Sequence, residues 1–129
     1  MTSDDQPKPY RLTFEKRPGY LYALVQAEHD SYDISRGYWQ EIADECLRSG
    51  MKKVLVEEEI PEEVSVGEAF QIGAELLQMG FEGIQIAFVD RCPGQEEINN
   101  FSQLVAINRG LYTEIFSNAE TAETWLLGG

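Results

Sequence analysis

Two kinds of hydrophobic pattern alternate along this chain, short apolar runs and segments with the periodicity of an amphipathic helix. Four short apolar runs with strand character are each followed by a segment in which apolar residues recur every three to four positions, as on one face of a helix. The runs are Leu21–Val25, Lys53–Val56, Ile84–Val89 and Leu111–Phe116. Strands that alternate with helices are typical of a sheet whose connections are helical. The pattern therefore predicts an α/β fold, and no catalytic signature accompanies it.

One further strand is predicted before the first of these runs. Tyr10–Glu15 alternates polar and apolar residues, and Pro18-Gly19 separates it from the strand-like segment Tyr20–Ala27. Proline followed by glycine is typical of the two central positions of a type II turn, so the two segments are predicted to form an antiparallel hairpin. The complete prediction is a single-domain mixed sheet of about five strands with about four helices, the first strand being antiparallel and at an edge.

The predicted helices have recognisable ends and inward faces. Asp33 is predicted to cap the first helix and Gly50 to end it. Ser65 and Glu68 form a capping box at the start of the second helix, and Ser117–Glu120 repeats the pattern before the last one. The residues predicted to face inward are Tyr38, Trp39, Ile42, Ala43, Cys46 and Leu47 in the first helix, Ile98, Phe101, Leu104 and Val105 in the third, and Ala122, Trp125 and Leu126 in the last.

The net charge limits the kinds of partner that the chain can bind, and its apolar content limits the compartments in which it is expected. The 129 residues include 23 acidic and 10 basic ones, a net charge of −13, which repels nucleic acids and anionic membranes. Residues 1–9 are polar and are expected to form a disordered leader before a domain spanning 10–127. There is no signal peptide and no apolar stretch of about 20 residues, so a cytoplasmic location is expected, with Cys46 and Cys92 as reduced thiols.

The densest group of ionisable residues follows a predicted buried strand. In open α/β sheets, ligands bind beyond the carboxyl ends of the strands, so the position suits a binding site. Three interpretations stay open: a site for a hard cation, a solvated loop that complements the dipole of the second helix, or an acidic surface that faces a partner. No calcium-loop spacing fits, and no metal ligand is assigned. The five carboxylates are Glu57, Glu58, Glu59, Glu62 and Glu63.

Nucleophilic chemistry has few candidates. Ser65 acts either as a helix cap alone or also as a phosphoacceptor, because the N-terminus of a helix tolerates a dianion. His29 is the only histidine and is predicted to be exposed in a polar loop, without any serine elbow in the chain. Cys92 is predicted to be an inert thiol. We therefore assign no catalytic residue and no cofactor, and the chain is not expected to be an enzyme.

Four aromatic residues have two alternative roles. Tyr20, Tyr22, Tyr38 and Trp39 either pack in the core or line a small cavity between the hairpin and the first helix. In the second case Tyr22, Tyr38 and Trp39 would form a pocket for an apolar ligand.

Three segments resemble the STAS superfamily of anti-sigma-factor antagonists, in particular its small stand-alone bacterial SpoIIAA-like proteins. They are Lys53–Gly67, Ile84–Val89 and Ile115–Leu126, which are similar to the regulatory strand–loop–helix unit, the next strand, and the closing strand and helix. The resemblance implies the α/β fold above and a non-enzymatic role in binding a partner or ligand. The family's regulatory motif is Asp-Ser-x-Gly, which Ser65 and Gly67 match, whereas Val64 replaces the aspartate.

Three functional hypotheses follow. In the first, a regulatory protein docks a protein partner through Glu58, Glu59, Glu62, Glu63 and Gly67, with Ser65 as the modulating position. In the second, the same fold binds a lipid-like or aromatic small molecule in the pocket near the aromatic residues. The third is a metal-dependent acidic enzyme, for which no general base or nucleophile is specified. A homodimer is compatible with each of them.

Overall fold

The computed structural model describes residues 8–61, 64–92 and 94–128. In this part of the chain five strands and four α-helices are present, as predicted. The elements are β1 (Arg11–Arg17), β2 (Tyr20–Gln26), α1 (Tyr32–Ser49), β3 (Lys53–Glu59), α2 (Val66–Glu75), continued by a 3-10 turn (Leu76–Met79), then β4 (Gln85–Asp90), α3 (Glu96–Asn108), β5 (Tyr112–Phe116) and α4 (Ala119–Leu126).

The strands lie in the sheet in the same order as in the sequence, β1-β2-β3-β4-β5. The first pair is antiparallel and the other three pairs are parallel. Arg17 pairs with Tyr20 across the two-residue turn, and Gly19 has a φ of +89°, a left-handed conformation that favours glycine. The predicted hairpin and its position at an edge of the sheet are therefore confirmed.

The sheet separates two apolar cores. Crossovers between parallel neighbours are almost always right-handed, so three successive steps in one direction place α1, α2 and α3 on the same face. The core on that face includes Val25, Ile42, Val56 and Ile86. The opposite face is covered by α4, and its core comprises Tyr20, Tyr22, Leu55, Ala87, Val89, Ala122 and Leu126.

Helix caps agree with the sequence at α2 and differ at α1 and α4. Ser65 Oγ accepts from the Glu68 amide at 3.2 Å, and Glu68 Oε1 accepts from the Ser65 amide at 3.1 Å, so the capping box is confirmed. The cap of α1 is Ser31 and not Asp33, which lies in the first turn, where its charge favours the helix dipole. Asn118 caps α4 through the Thr121 amide, so the capping box predicted for Ser117–Glu120 is wrong.

Some residues predicted to face inward lie on the surface. Leu47 is 81% exposed on α1, and Leu104 is 57% exposed on α3, where Phe101 is also exposed. The reason for α3 is its place in the fold, because it packs beside α2 and over β5 and has a free outer side. Only Ala106 of this helix is fully buried. The apolar spacing of α3 therefore does not correspond to a single buried stripe.

The predicted leader is described only at its end. Positions 1–7 lie outside the described residues, while Lys8 Nζ lies 3.0 Å from Glu41 Oε1 on α1. The Tyr10 hydroxyl donates to the same carboxylate. Across the described ranges, none of the helices combines the length and the apolar character needed to cross a bilayer.

Candidate functional site

The acidic run belongs largely to β3. Glu57, Glu58 and Glu59 extend this strand three residues beyond the predicted end at Val56. Because side chains alternate along a strand, Glu58 faces α1–α3, and its two neighbours face the other side of the sheet. Glu57 is 8% exposed and Glu58 is 6% exposed. The interpretation of these two residues as part of a solvated or partner-facing loop is therefore wrong, and positions 62 and 63 lie outside the described residues.

Glu57 is the buried member of an ion pair whose other member, Arg91, is exposed. Its carboxylate accepts from the Tyr22 hydroxyl at 2.6 Å and from Arg91 Nε at 2.7 Å. Burial alone raises the pKa of Glu57, but the hydrogen bonds from Arg91 and Tyr22 outweigh it, so the pKa lies below its ordinary value. Burial and the same contact raise the pKa of Tyr22 to about 12. These groups hold β2, β3 and the residue after β4 together.

Glu58 has a different environment. Its Oε2 lies 2.5 Å from the Tyr38 hydroxyl, which is also 3.0 Å from Asp30 Oδ2. The hydroxyl has a single proton, so both contacts are satisfied together only if one of the two carboxyl groups is itself protonated and donates to Tyr38. Burial, and then the charge of Asp30, raise the pKa of Glu58 to about 8. Glu58 is therefore largely protonated at neutral pH.

Two half-buried carboxyl groups lie near Glu58 at the carboxyl ends of the strands. Asp30 follows β2 and accepts from the Ser35 hydroxyl at 2.7 Å. Asp90 ends β4 and accepts from Asn99 Nδ2 at 2.8 Å and from the Cys92 amide at 2.9 Å. Burial raises the pKa of both aspartates. We call Asp30, Glu58 and Asp90 the inner carboxyl cluster; none of them forms an ion pair with a described lysine, arginine or histidine.

A cavity of about 90 Å³ lies between the sheet and the three helices on this face. Tyr38 and Trp39 line it, whereas Tyr22 does not, because it points to the α4 side of the sheet with Tyr20. Asp30 and Glu58 form part of its polar wall. Its other walls could not be predicted from the sequence, since residues distant in sequence supply them. The main apolar ones are Ile72, Leu76, Ile86, Phe88 and Ile98.

The start of α2 presents a second feature, on the outer surface. Ser65 and Gly67 are exposed there, while Glu59 is half-buried and accepts from Gln26 Nε2 at 2.8 Å. The rings of Phe70 and Phe101 lie 6.3 Å apart, which joins α2 to α3. Residues three or four apart are neighbours on a helix surface, so the exposed apolar side chains near these rings are continuous with them. We call Val66, Phe70, Phe101 and Leu104 the outer ridge.

The two helices that form the outer ridge contain charged residues of one sign, although Arg36 of α1 lies 3.6 Å from Glu75. Neither α2 nor α3 contains a lysine or an arginine. Their acidic residues are Glu68, Glu75, Glu96 and Glu97. The outer ridge is thus an apolar surface on helices whose charged residues are all acidic.

The remaining candidates for chemistry are not activated. His29 is exposed, as predicted. Burial, Asp90 and Glu59 raise the pKa of Cys92, which is the opposite of what a reactive thiolate requires and supports its interpretation as an inert thiol. Within residues 8–61, 64–92 and 94–128, no group of three histidine, cysteine, aspartate or glutamate side chains is arranged to hold a metal ion.

Comparison with solved structures identifies the fold. The chain is similar to the crystal structure of an anti-sigma factor antagonist from Mycobacterium paratuberculosis, with a TM-score of 0.63 and 13% sequence identity. The similarity covers 95% of this chain and 97% of that one. No protein-family model and no curated protein sequence matches the chain. The chain therefore has the fold of an anti-sigma factor antagonist, as the resemblance in sequence predicted.

Proposed function

We propose that this chain is a non-enzymatic regulatory protein that docks a protein partner on the outer ridge and the exposed start of α2. The observation that carries the proposal is the continuity between the exposed apolar side chains of the outer ridge and Ser65 and Gly67. The similarity in fold to an anti-sigma factor antagonist supports a regulatory role. Glu59 lies at the end of β3, where we place the margin of the docking surface.

The acidic charge of the helices that form this surface indicates which kind of protein surface would bind to it. An apolar surface on helices with only acidic charges fits a partner whose own apolar patch is surrounded by lysine and arginine. A second copy of this chain fits less well, because each copy has a net charge of −13. We place this interaction in the cytoplasm, where Cys46 and Cys92, both free thiols, would stay reduced.

Ser65 is the position where we expect docking to be modulated. It is exposed and directly precedes Val66 of the outer ridge. A phosphate on Ser65 would place a dianion beside Glu68, and docking would then require that charge to lose its hydration at the edge of an apolar interface. Phosphorylation is therefore expected to weaken docking.

Crosslinking followed by affinity measurement tests this surface. A photo-crosslinking residue at position 66 is expected to capture one protein in cells, whereas the same residue at position 47 is not, because Leu47 is exposed on α1. With that partner purified, Phe70→Asp should raise Kd by about thirtyfold, since it places a charge in the apolar centre of the interface. Ser65→Asp retains a helix cap and should raise Kd about tenfold.

The controls separate docking from folding. Leu47→Asp introduces the same charge on another helix and should leave Kd unchanged, and Ser65→Ala should have little effect on Kd. Wild-type affinity in Phe70→Asp would show that the outer ridge is not the docking surface. Wild-type affinity in Ser65→Asp would leave the surface in place and remove the modulation.

The cavity supports a second candidate function, the binding of a small molecule. A volume of about 90 Å³ corresponds to roughly seven non-hydrogen atoms, which suits a small ring or a short chain but not a full-length acyl chain. Native mass spectrometry of protein purified without detergent is expected to show an added mass on the order of 100 Da. A protein that carries no added mass, and gains none after incubation with cell extract, would contradict this function.

A further inference from the structure

The polar wall of the cavity contains two carboxyl groups that form no ion pair with a described basic residue. The described residues that line it include no lysine, arginine or histidine. Asp30 and Glu58 belong to the lining, and Asp90 lies close enough to raise the pKa of Glu58. In a buried site, such carboxylates are stabilised either by a proton or by a cation from outside the chain.

One oxygen of Glu58 is free to contact a ligand. The side chain is 6% exposed, and among the described residues its one hydrogen-bond partner is Tyr38, at Oε2. Oε1 accepts no hydrogen bond from any described group, and since no fully buried side-chain oxygen of the described residues lacks a partner, this atom keeps some accessible surface. The structure thus combines a cavity, a buried carboxylate in its wall and an unused acceptor atom.

The geometry disfavours a metal ion as the missing cation. The described residues contain no set of three carboxylate, histidine or thiol ligands, whereas Mg²⁺ and Ca²⁺ bind to several oxygen ligands at once. An ammonium group needs fewer partners, because each of its hydrogens takes a single acceptor. The apolar part of the cavity, with Trp39, Ile72 and Phe88, would then hold a hydrocarbon body attached to that group.

We infer that the cavity binds a small organic ammonium ion, whose charged group contacts Glu58 and whose apolar body of about six carbon atoms lies between the sheet and α2–α3. This inference rests on the second candidate function and names the ligand class for it. In such a site the apolar walls bind the hydrocarbon part of the ligand, and the single carboxylate fixes the position of its ammonium group.

Ammonium binding would be linked to the release of a proton. Glu58 must ionise to pair with the ligand, so affinity is expected to rise with pH as long as the amine stays protonated. The titratable groups that face Glu58 are Tyr38 on α1, Asp30 after β2, and Asp90 on β4, with Cys92 next to Asp90. Burial also raises the pKa of both aspartates, so their ionisation would likewise make the affinity for the ammonium ion rise with pH.

Titration calorimetry on the full chain with n-hexylammonium chloride, 1-hexanol and sodium hexanoate tests the inference. At pH 8.5 hexylammonium should bind at least about tenfold more tightly than 1-hexanol, and hexanoate should not bind. From pH 6.5 to 8.5 the affinity for hexylammonium should rise about tenfold or more, because Glu58 loses its proton. Thr113→Leu, which reduces the cavity volume, should weaken the binding of both hexylammonium and 1-hexanol.

Variants of adjacent glutamates provide the matched control. Glu58→Gln should weaken hexylammonium binding about tenfold and remove most of its pH dependence, without weakening the binding of 1-hexanol. Glu57→Gln faces the other side of the sheet and should leave both affinities unchanged. Equal affinities for hexylammonium and 1-hexanol would overturn the ammonium inference but not the small-molecule function. Absence of binding by every probe would overturn both, and the partner-docking assay is independent of either result.

Discussion

Replacing Glu58 with glutamine is expected to stabilise the folded protein by on the order of 3 kcal/mol at pH 8, and by less than about 1 kcal/mol at pH 5. Glu58 is buried beside Tyr38 and Asp30, and its pKa is raised to about 8. The glutamine amide can donate to the Tyr38 hydroxyl or accept from it, and it has no charge to bury. Urea unfolding at pH 5, 6.5 and 8 measures the difference.

The direction follows from proton binding in the two states. The pKa of Glu58 is higher in the folded chain than in the unfolded chain, where it is near 4.5. The folded state therefore binds more protons between pH 4.5 and about 8, and the stability contributed by Glu58 is fully present below this range and lost as pH rises through it. Asp30 and Asp90 act in the same direction and remain in the variant, so its stability keeps a smaller slope with pH.

Glu57→Gln is the matched control, one residue along the same strand. The Glu57 carboxylate is stabilised by Arg91 and Tyr22, so removing its charge is expected to cost about 1 kcal/mol of stability at pH 8. The two neighbouring substitutions thus have opposite signs. A Glu58→Gln variant that lost stability at pH 8 as Glu57→Gln does would show that Glu58 is an ionised and favourably paired group.

Leu126→Ala is expected to destabilise the chain by about 2–4 kcal/mol. Leu126 is fully buried in the core between α4 and the sheet, and truncation would leave a cavity against Leu55 and Ala87. Of the helices in residues 8–61, 64–92 and 94–128, α4 is the one that covers this face, so the neighbours have few ways to close the gap. Thermal and urea denaturation measure the loss.

Leu127→Ala is the control for that substitution, because the next residue is half exposed. Its cost should be within about 0.5 kcal/mol. Similar losses for the two variants would mean that α4 does not pack on the sheet through Leu126, and would contradict the two-core arrangement.

Local signals in the sequence predicted the positions of the strands and helices, while the burial of individual side chains was less predictable. The hairpin at Pro18-Gly19 and the capping box of Ser65 depend on residues within four positions of one another, and both predictions were correct. The caps predicted at Asp33 and Ser117 were displaced by two residues and one residue, to Ser31 and Asn118. The exposure of Leu47 and Leu104 depends on which helix lies beside which. That information comes from the order of strands in the sheet, and apolar spacing does not contain it.

The acidic run shows the same limit at the candidate site. A run of glutamates usually indicates a segment that is exposed to solvent. Glu57 and Glu58 are nevertheless buried, because residues distant in sequence provide their hydrogen-bond partners. These are Arg91 and Tyr22 for Glu57, and Tyr38 for Glu58. The helical spacing of Tyr38 and Trp39 predicted that they face the interior, where both line the cavity. The α2 and α3 walls could not be predicted, since they meet the sheet only in the folded chain.

The neighbour-to-neighbour strand order also has a consequence for biosynthesis. Each strand that leaves the ribosome can pair at once with the strand made before it, because no strand has to wait for a later one to be inserted between them. The covering of one face of the sheet, however, does have to wait. This is the face that contains Tyr20, Tyr22 and Leu55. Its cover, α4, is translated after all five strands, so this apolar surface is available to chaperones throughout the synthesis of the sheet.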